Sequence, residues 1–259
     1  MITVEQVKEL RDATGISIMQ CKKALEEAAG DMEKALMILK KKSSEIAAKK
    51  GDRDLASGIV VTTSNGDKTV GLVLQCETDF VAKNDEFIAL ANTLAQKALV
   101  DGADTATAAA SDLINPLIQK IGENMKVGDV VVYEGIVGVY VHNARSGAFV
   151  SVEGSGDAMG VAKDIAMHVA AMKPTYLAQT DVPADMRTKA SDLFAEEVKA
   201  SGKPADIQEK MLAGKIDAYF KEQTLLDQSF IKNPNQTIGQ LAKEKGITVK
   251  AFALLRAAA

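Results

Sequence analysis

Hydrophobic positions along the first forty residues recur at helical spacing and are cut by short polar breaks. Val4, Val7 and Leu10 share one face of a first helix, with Thr3 as its cap. Thr14-Gly15 breaks the pattern, and Ser17 can cap a second helix carrying Ile18, Cys21, Ala24, Leu25 and Ala28. Gly30-Asp31 closes that helix, and Asp31 caps a third with Ala35, Leu36 and Leu39 inward. The spacing therefore predicts a small three-helix bundle over residues 1–42. Residues 43–56, with the lysines around them, read as a helical tail and linker. Their charges read as a solvated face.

From Ser57 the period changes to that of strands. Gly58–Thr63 is one strand, Asn65-Gly66 a hairpin turn, and Thr69–Cys76 the next. Helices are predicted over about 82–101 and 111–122, and strands over 129–142 and 147–153. A further helix over 159–172 ends before Pro174. Residues 181–223 carry two helical stripes around Gly202-Lys203-Pro204, the pattern of an antiparallel helical hairpin. The chain then returns through Gln236 to Phe252. Hairpin-linked strands mixed with helices make the fold class α+β.

Composition narrows the function. The chain has 259 residues, 47% hydrophobic and 25% charged, which is ordinary for a globular protein. A net charge of −4, no Trp and 4% aromatics argue against a direct nucleic-acid binder. No apolar run reaches membrane-spanning length and no signal peptide opens the chain, so a cytoplasmic location is expected. Cys21 and Cys76 read as two reduced, buried thiols.

Candidate chemistry is sparse. Gly154–Gly160 sits between a strand and a helix like a dinucleotide loop. Its second and third glycines are one residue too far apart, so a turn with Asp157 as helix cap is expected. There is no phosphate-loop motif. His142 and His168 lack partners at metal-ligand spacing, so no metal, cofactor or covalent catalysis is expected. His168, within the apolar stretch Ile165–Ala171, reads as a packed or interface histidine. The sharpest feature is Thr78-Asp79-Phe80-Val81-Ala82-Lys83-Asn84, where a buried strand hands over to a helix. Two readings stand for it. Asp79 caps the helix while Phe80 plugs the core, or Phe80 is an exposed anchor for another molecule.

That heptad resembles the signature of the elongation factor Ts family. Further segments match in order: Val7–Arg11 with Thr14-Gly15 and Cys21–Glu26, then Lys120–Asn124, Ile165–Ala171 with Lys173-Pro174, and Ser201–Pro204 with Glu209–Met211. The resemblance implies a ubiquitin-associated-like bundle at 1–42 and a core subdomain at 57–135. It also implies a second core subdomain from 136–180 and 224–259, with an inserted coiled-coil hairpin at 181–223. It implies a guanine-nucleotide exchange factor for elongation factor Tu that acts by binding, not as an enzyme. Thr78, Asp79, Phe80 and Val81 would disturb the Mg²⁺ and phosphate site of that GTPase. Met19, Cys21, Lys22 and Lys23 would grip it, and Ile121, Gly122 and Glu123 would touch it. The hairpin would serve a homodimer or heterotetramer. The match fades after Leu241: the family's Arg-Phe-x-x-Gly-Glu-Gly run has no counterpart in Phe252–Ala259. A weaker exchange factor is the expectation from that departure.

Overall fold

The computed structural model describes residues 2–258. It is an α+β protein whose contacts divide it into two units. The first unit runs to Glu134 and also takes in Val141–Gly147 and the segment from Leu255. The second comprises Gly135–Tyr140 and Ala148–Leu254.

In the first unit, α1 (Val4–Thr14), α2 (Ile18–Glu27) and α3 (Met32–Lys50) form the predicted bundle around Leu10, Cys21, Leu25 and Leu39. Thr3 and Gln6 make a capping box, and Asp31 accepts from the Lys34 N–H at 3.0 Å. Ser17 stands at the start of α2, but its side chain makes no capping bond. The third helix does not stop near residue 42. It continues to Lys50 because Ile46 and Ala47 leave the bundle and pack against the next core. Half of the expected linker is therefore a docked helix.

That core lies between a sheet and two helices. The sheet has the order β1 (Ser57–Ser64), β2 (Lys68–Cys76), β3 (Met125–Glu134), all antiparallel. Over it lie α5 (Asp85–Asp101) and α6 (Ala103–Ile121). Phe87, Ala91, Leu94 and Ala98 of α5 are buried at the predicted helical spacing. The helix expected at 111–122 begins eight residues earlier, at Ala103. Its first turns are alanine and threonine, strong in helix propensity for alanine but without a bulky stripe. Ala106 and Ala110 form the buried face there.

The strand expected at 129–142 is in fact two. It breaks at Gly135, whose φ of +77° is a left-handed turn that a residue with a Cβ resists. β4 (Ile136–His142) joins a second sheet of order β4, β5 (Ser146–Gly154), β8 (Ile247–Arg256).

In the second unit, α7 (Ala158–Met172) packs Ile165, Ala166 and Val169 into a core with Val150, Ile238 and Ile247. Asp157 caps α7 by accepting from the Gly160 N–H at 3.1 Å, so the glycine-rich segment is a capped turn. The helices α8 (Ala184–Ala200) and α9 (Ala205–Gln223) form the expected hairpin, closed by Phe220, Val182 and Ala190. Two short strands, β6 (Ser229–Phe230) and β7 (Asn233–Thr237), and α10 (Ile238–Glu244) precede β8. Among the described residues no helix is long and apolar enough to cross a membrane.

His168 is fully buried on α7. Its Nδ1 accepts from the Ile231 N–H at 3.3 Å, so Nε2 carries the proton and donates to Gln228 Oε1 at 2.9 Å. Burial pulls its pKa below the ordinary 6.5, against a smaller opposing effect of Gln228. The folded state thus favours the neutral ring, and protonation would also remove the acceptor for Ile231. Stability is complete above pH 6.5 and falls as pH drops through the lowered folded value. We expect the melting temperature to decline between pH 7 and 5, and His168→Gln to flatten that decline. Thermal scans across this pH range check it.

Gly138 marks where β4 meets α7 backbone to backbone. A Cβ there would lie 2.1 Å from the carbonyl carbon of Ala162. Gly138→Ala should lower unfolding free energy by about 2 kcal/mol or more, since neither backbone can yield cheaply. Urea denaturation measures it.

Candidate functional site

Cys76 ends β2, and the chain turns into α4 (Asp79–Ala82), a helix of a single turn. So short a helix gains little from its own hydrogen bonds. Its position is set by what it packs on and what caps it. Val81 and Ala82 point into the first core and are 7% and 6% exposed. Successive helical residues are rotated by about 100°, so residues flanking an inward pair face outward. Asp79 is accordingly half-exposed and Phe80 is 82% exposed. The core-plug reading of Phe80 is excluded by this burial pattern.

Asp79 does not cap the long helix. Thr78 caps α4, its Oγ1 accepting from the Val81 N–H at 3.4 Å. Asn84 caps α5, its Oδ1 accepting from the Glu86 and Phe87 N–H groups at 2.9 and 3.3 Å. Two helices in succession need two caps, and residues 78 and 84 are the extended ones that can provide them. Asp79 pairs instead with Lys83 at 2.8 Å. This hydrogen bond and charge hold its carboxyl below the usual range, with a smaller contribution from Arg145. The outward face of α4 therefore carries an ionised carboxylate beside a bare benzyl ring.

Glu123, from the loop between α6 and β3, reaches the same turn. Its Oε1 accepts from the Thr78 hydroxyl at 2.7 Å and its Oε2 from the Thr78 N–H at 3.0 Å. In return, Glu77 Oε1 accepts from the Asn124 N–H at 2.6 Å. That bond, and then Arg53, hold the Glu77 carboxyl below its usual range. Lys50 Nζ donates to the Gly122 carbonyl. Asn124 Nδ2 donates to the carbonyls of Gly51 and Arg53 at 3.3 and 3.1 Å. Ile121, Gly122 and Glu123 are half-buried around this junction. Glu77 was not singled out in the sequence, and Lys50 and Arg53, read there as part of a solvated face, instead pair with the Gly122 carbonyl and Glu77. An acid directly before the motif was the one available signal.

On α2, Met19 is 65% exposed and shares the outer face with Lys22 and Lys23, as three- and four-residue spacing requires. Cys21 does not join them. It lies fully buried, its Sγ donating to the Ile16 carbonyl at 3.6 Å, because it faces the bundle interior. Its side chain is thus a core group and cannot grip a partner, against the expectation from the motif. Cys76 is also buried and free, its thiol pushed up to about 12 first by burial and next by the charge of Glu123. No cluster of three or more His, Cys, Asp or Glu able to hold a metal occurs among the described residues.

The family profile of elongation factor TS matches residues 77–258, beginning one residue before Thr78. The elongation factor Ts of Cellvibrio japonicus is 43% identical, over 98% of this chain and 90% of that protein. The elongation factor Ts of a Janthinobacterium strain is 42% identical over 98% and 90%. That of Alcanivorax borkumensis is 41% identical over 95% and 90%.

The opposite placement of neighbouring side chains on α4 has a direct consequence for stability. Val81→Ala should cost about 1–3 kcal/mol, as a buried side chain truncated in a packed core. Phe80→Ala should stay within about 0.5 kcal/mol of the parent, because the ring is in solvent. Chemical denaturation of the two variants side by side tests the contrast.

Proposed function

The chain belongs to the elongation factor Ts family of translation elongation factors, and we propose that it is the nucleotide-exchange partner of the GTPase elongation factor Tu. The observation that carries this reading is the 82% exposure of Phe80 beside ionised Asp79 on a helix anchored from behind. Exposed aromatics set on a rigid base are the residues that dominate binding at interfaces.

The proposed action is physical and involves no covalent step. Elongation factor Tu holds GDP through a phosphate loop and Mg²⁺. Mg²⁺ requires near-ideal octahedral geometry. Thr78, Asp79, Phe80 and Val81 form the wedge, with Phe80 entering beside the cation site and Val81 holding the turn from within. Displacing groups there by about an ångström would weaken metal and nucleotide together, and each 1.4 kcal/mol so lost is about tenfold in affinity. Linkage makes the effect reciprocal: bound nucleotide weakens the factor as much as the factor weakens nucleotide. GTP therefore ejects the factor at the end of the cycle.

Met19, Lys22 and Lys23 on the outer face of α2 supply a second grip, and Ile121 and Gly122 a third. The α8–α9 hairpin, with Leu193 at 66% exposure, is the arm we assign to a homodimer or a two-plus-two complex with the GTPase. Its place of work is the cytoplasm, where translation runs.

Release of fluorescent GDP from elongation factor Tu tests the reading. The protein should accelerate release, and Phe80→Ala should reduce that acceleration about tenfold or more, in line with loss of a hot-spot aromatic. Unchanged release with Phe80→Ala, or no acceleration by the parent, would overturn it.

A further inference from the structure

Glu123 sits in a loop whose resemblance suggests contact with the partner, yet both its carboxylate oxygens are turned onto Thr78 of its own chain. The bonds form a relay. Because the Thr78 hydroxyl proton is committed to Glu123 Oε1, an Oγ1 lone pair is left to accept from the Val81 N–H. The carboxylate thereby fixes the rotamer of the residue that caps α4. The remaining bonds of that turn are few: Ala82 N–H to the Thr78 carbonyl, Lys83 N–H to that of Phe80, and Asn84 N–H to that of Val81.

The loop itself is held from the other side. Asn124 is tied to Glu77 and to the carbonyls of Gly51 and Arg53, and Gly122 to Lys50. The clasp therefore connects the end of α3 to the turn that carries Phe80. Bonds to a charged acceptor are stronger than neutral ones. A one-turn helix that presents a bare aromatic has little else to fix its direction.

We propose that Glu123 is a positioning residue: it acts through Thr78 to hold Phe80 in one orientation, and not through a contact of its own with the GTPase. The role in exchange rests on the function proposed above, while the clasp is a property of the free protein. That separation sets the experiment.

Hydrogen–deuterium exchange is measured on the free parent, Glu123→Ala, Glu123→Gln and Thr78→Ser. In Glu123→Ala the amides of Val81–Asn84 should exchange about tenfold faster, the expected loss for a bond to a charged acceptor. Those of α5 should keep the parent rate and report that the fold is intact. Glu123→Gln should fall between, since one acceptor oxygen survives, and Thr78→Ser should match the parent. Unchanged protection at Val81–Asn84 overturns the proposal. So does global loss of protection in both Glu123 variants, which would make the carboxylate a determinant of the whole fold.

GDP release then separates positioning from contact. Glu123→Ala should slow exchange in the parent background but add nothing to Phe80→Ala. Additive losses mean an independent partner contact and also overturn the proposal. If the parent itself fails to accelerate GDP release, the exchange reading falls, and the amide data still decide whether Glu123 clasps the turn.

Discussion

A single helical turn cannot hold a large aromatic side chain in water by its own hydrogen bonds. Fixing each backbone residue costs on the order of 1–2 kcal/mol in conformational entropy. A turn this short returns only a few weak bonds against that cost. Here α4 is held by three anchors: the burial of its own Val81 and Ala82 in the first core, Thr78 as cap, and the Glu123 carboxylate that fixes Thr78. The outward presentation of Phe80 depends on this anchorage. A ring on a free loop would lose freedom on docking, at about 0.5–1.5 kcal/mol per ordered side chain. A ring already held in place avoids much of that loss.

The same junction ties local structure to the wider first unit. The second half of α3 leaves the bundle, seats Ile46 and Ala47 on the first core, and ends where Lys50 meets the Gly122 carbonyl. Ser43, buried within α3, has its single hydroxyl proton within reach of both the Leu39 carbonyl and Gln119 Oε1 of α6. A bundle joined by a flexible tether would present Met19, Lys22 and Lys23 at a range of distances from Phe80. A bundle continuous with a docked helix presents them at one, so two exposed groups on separate elements can act as parts of one binding surface.

How much of this was legible beforehand follows from the range of each interaction. The period change at Ser57 and the caps at Thr3, Asp31 and Asp157 rest on contacts within a few residues, and the helical hairpin on two stripes flanking a local Gly-Lys-Pro turn; all were read correctly. The early start of α6 was missed because Ala106 and Ala110 bury a face without a bulky stripe. The break at Gly135 was missed because its strands keep one hydrophobic texture while passing into different sheets. Asp79 was read as the cap of a helix from 82. The chain instead forms two helices, and Asp79 falls inside the first. The motif marked a turn that carries an exposed aromatic, while the resemblance grouped Cys21 with its exposed neighbours. Period alone puts Cys21 on the inner face, with Ala24 and Leu25. Glu123 and Thr78 are 45 residues apart, beyond any local pattern.

That distance explains the logic of the site. A cap supplied from within α4 would tie the orientation of Phe80 only to its own turn. A carboxylate supplied from the loop after α6 ties it to the α3–α6 framework, so strain applied to the ring is carried by several packed elements. A wedge must resist the group it displaces. Force on a pliant side chain is spent in bending the chain that bears it, whereas force on a clasped one is passed to the partner. In the exchange mechanism proposed above, stiffness behind the ring is as much a part of the action as the ring itself.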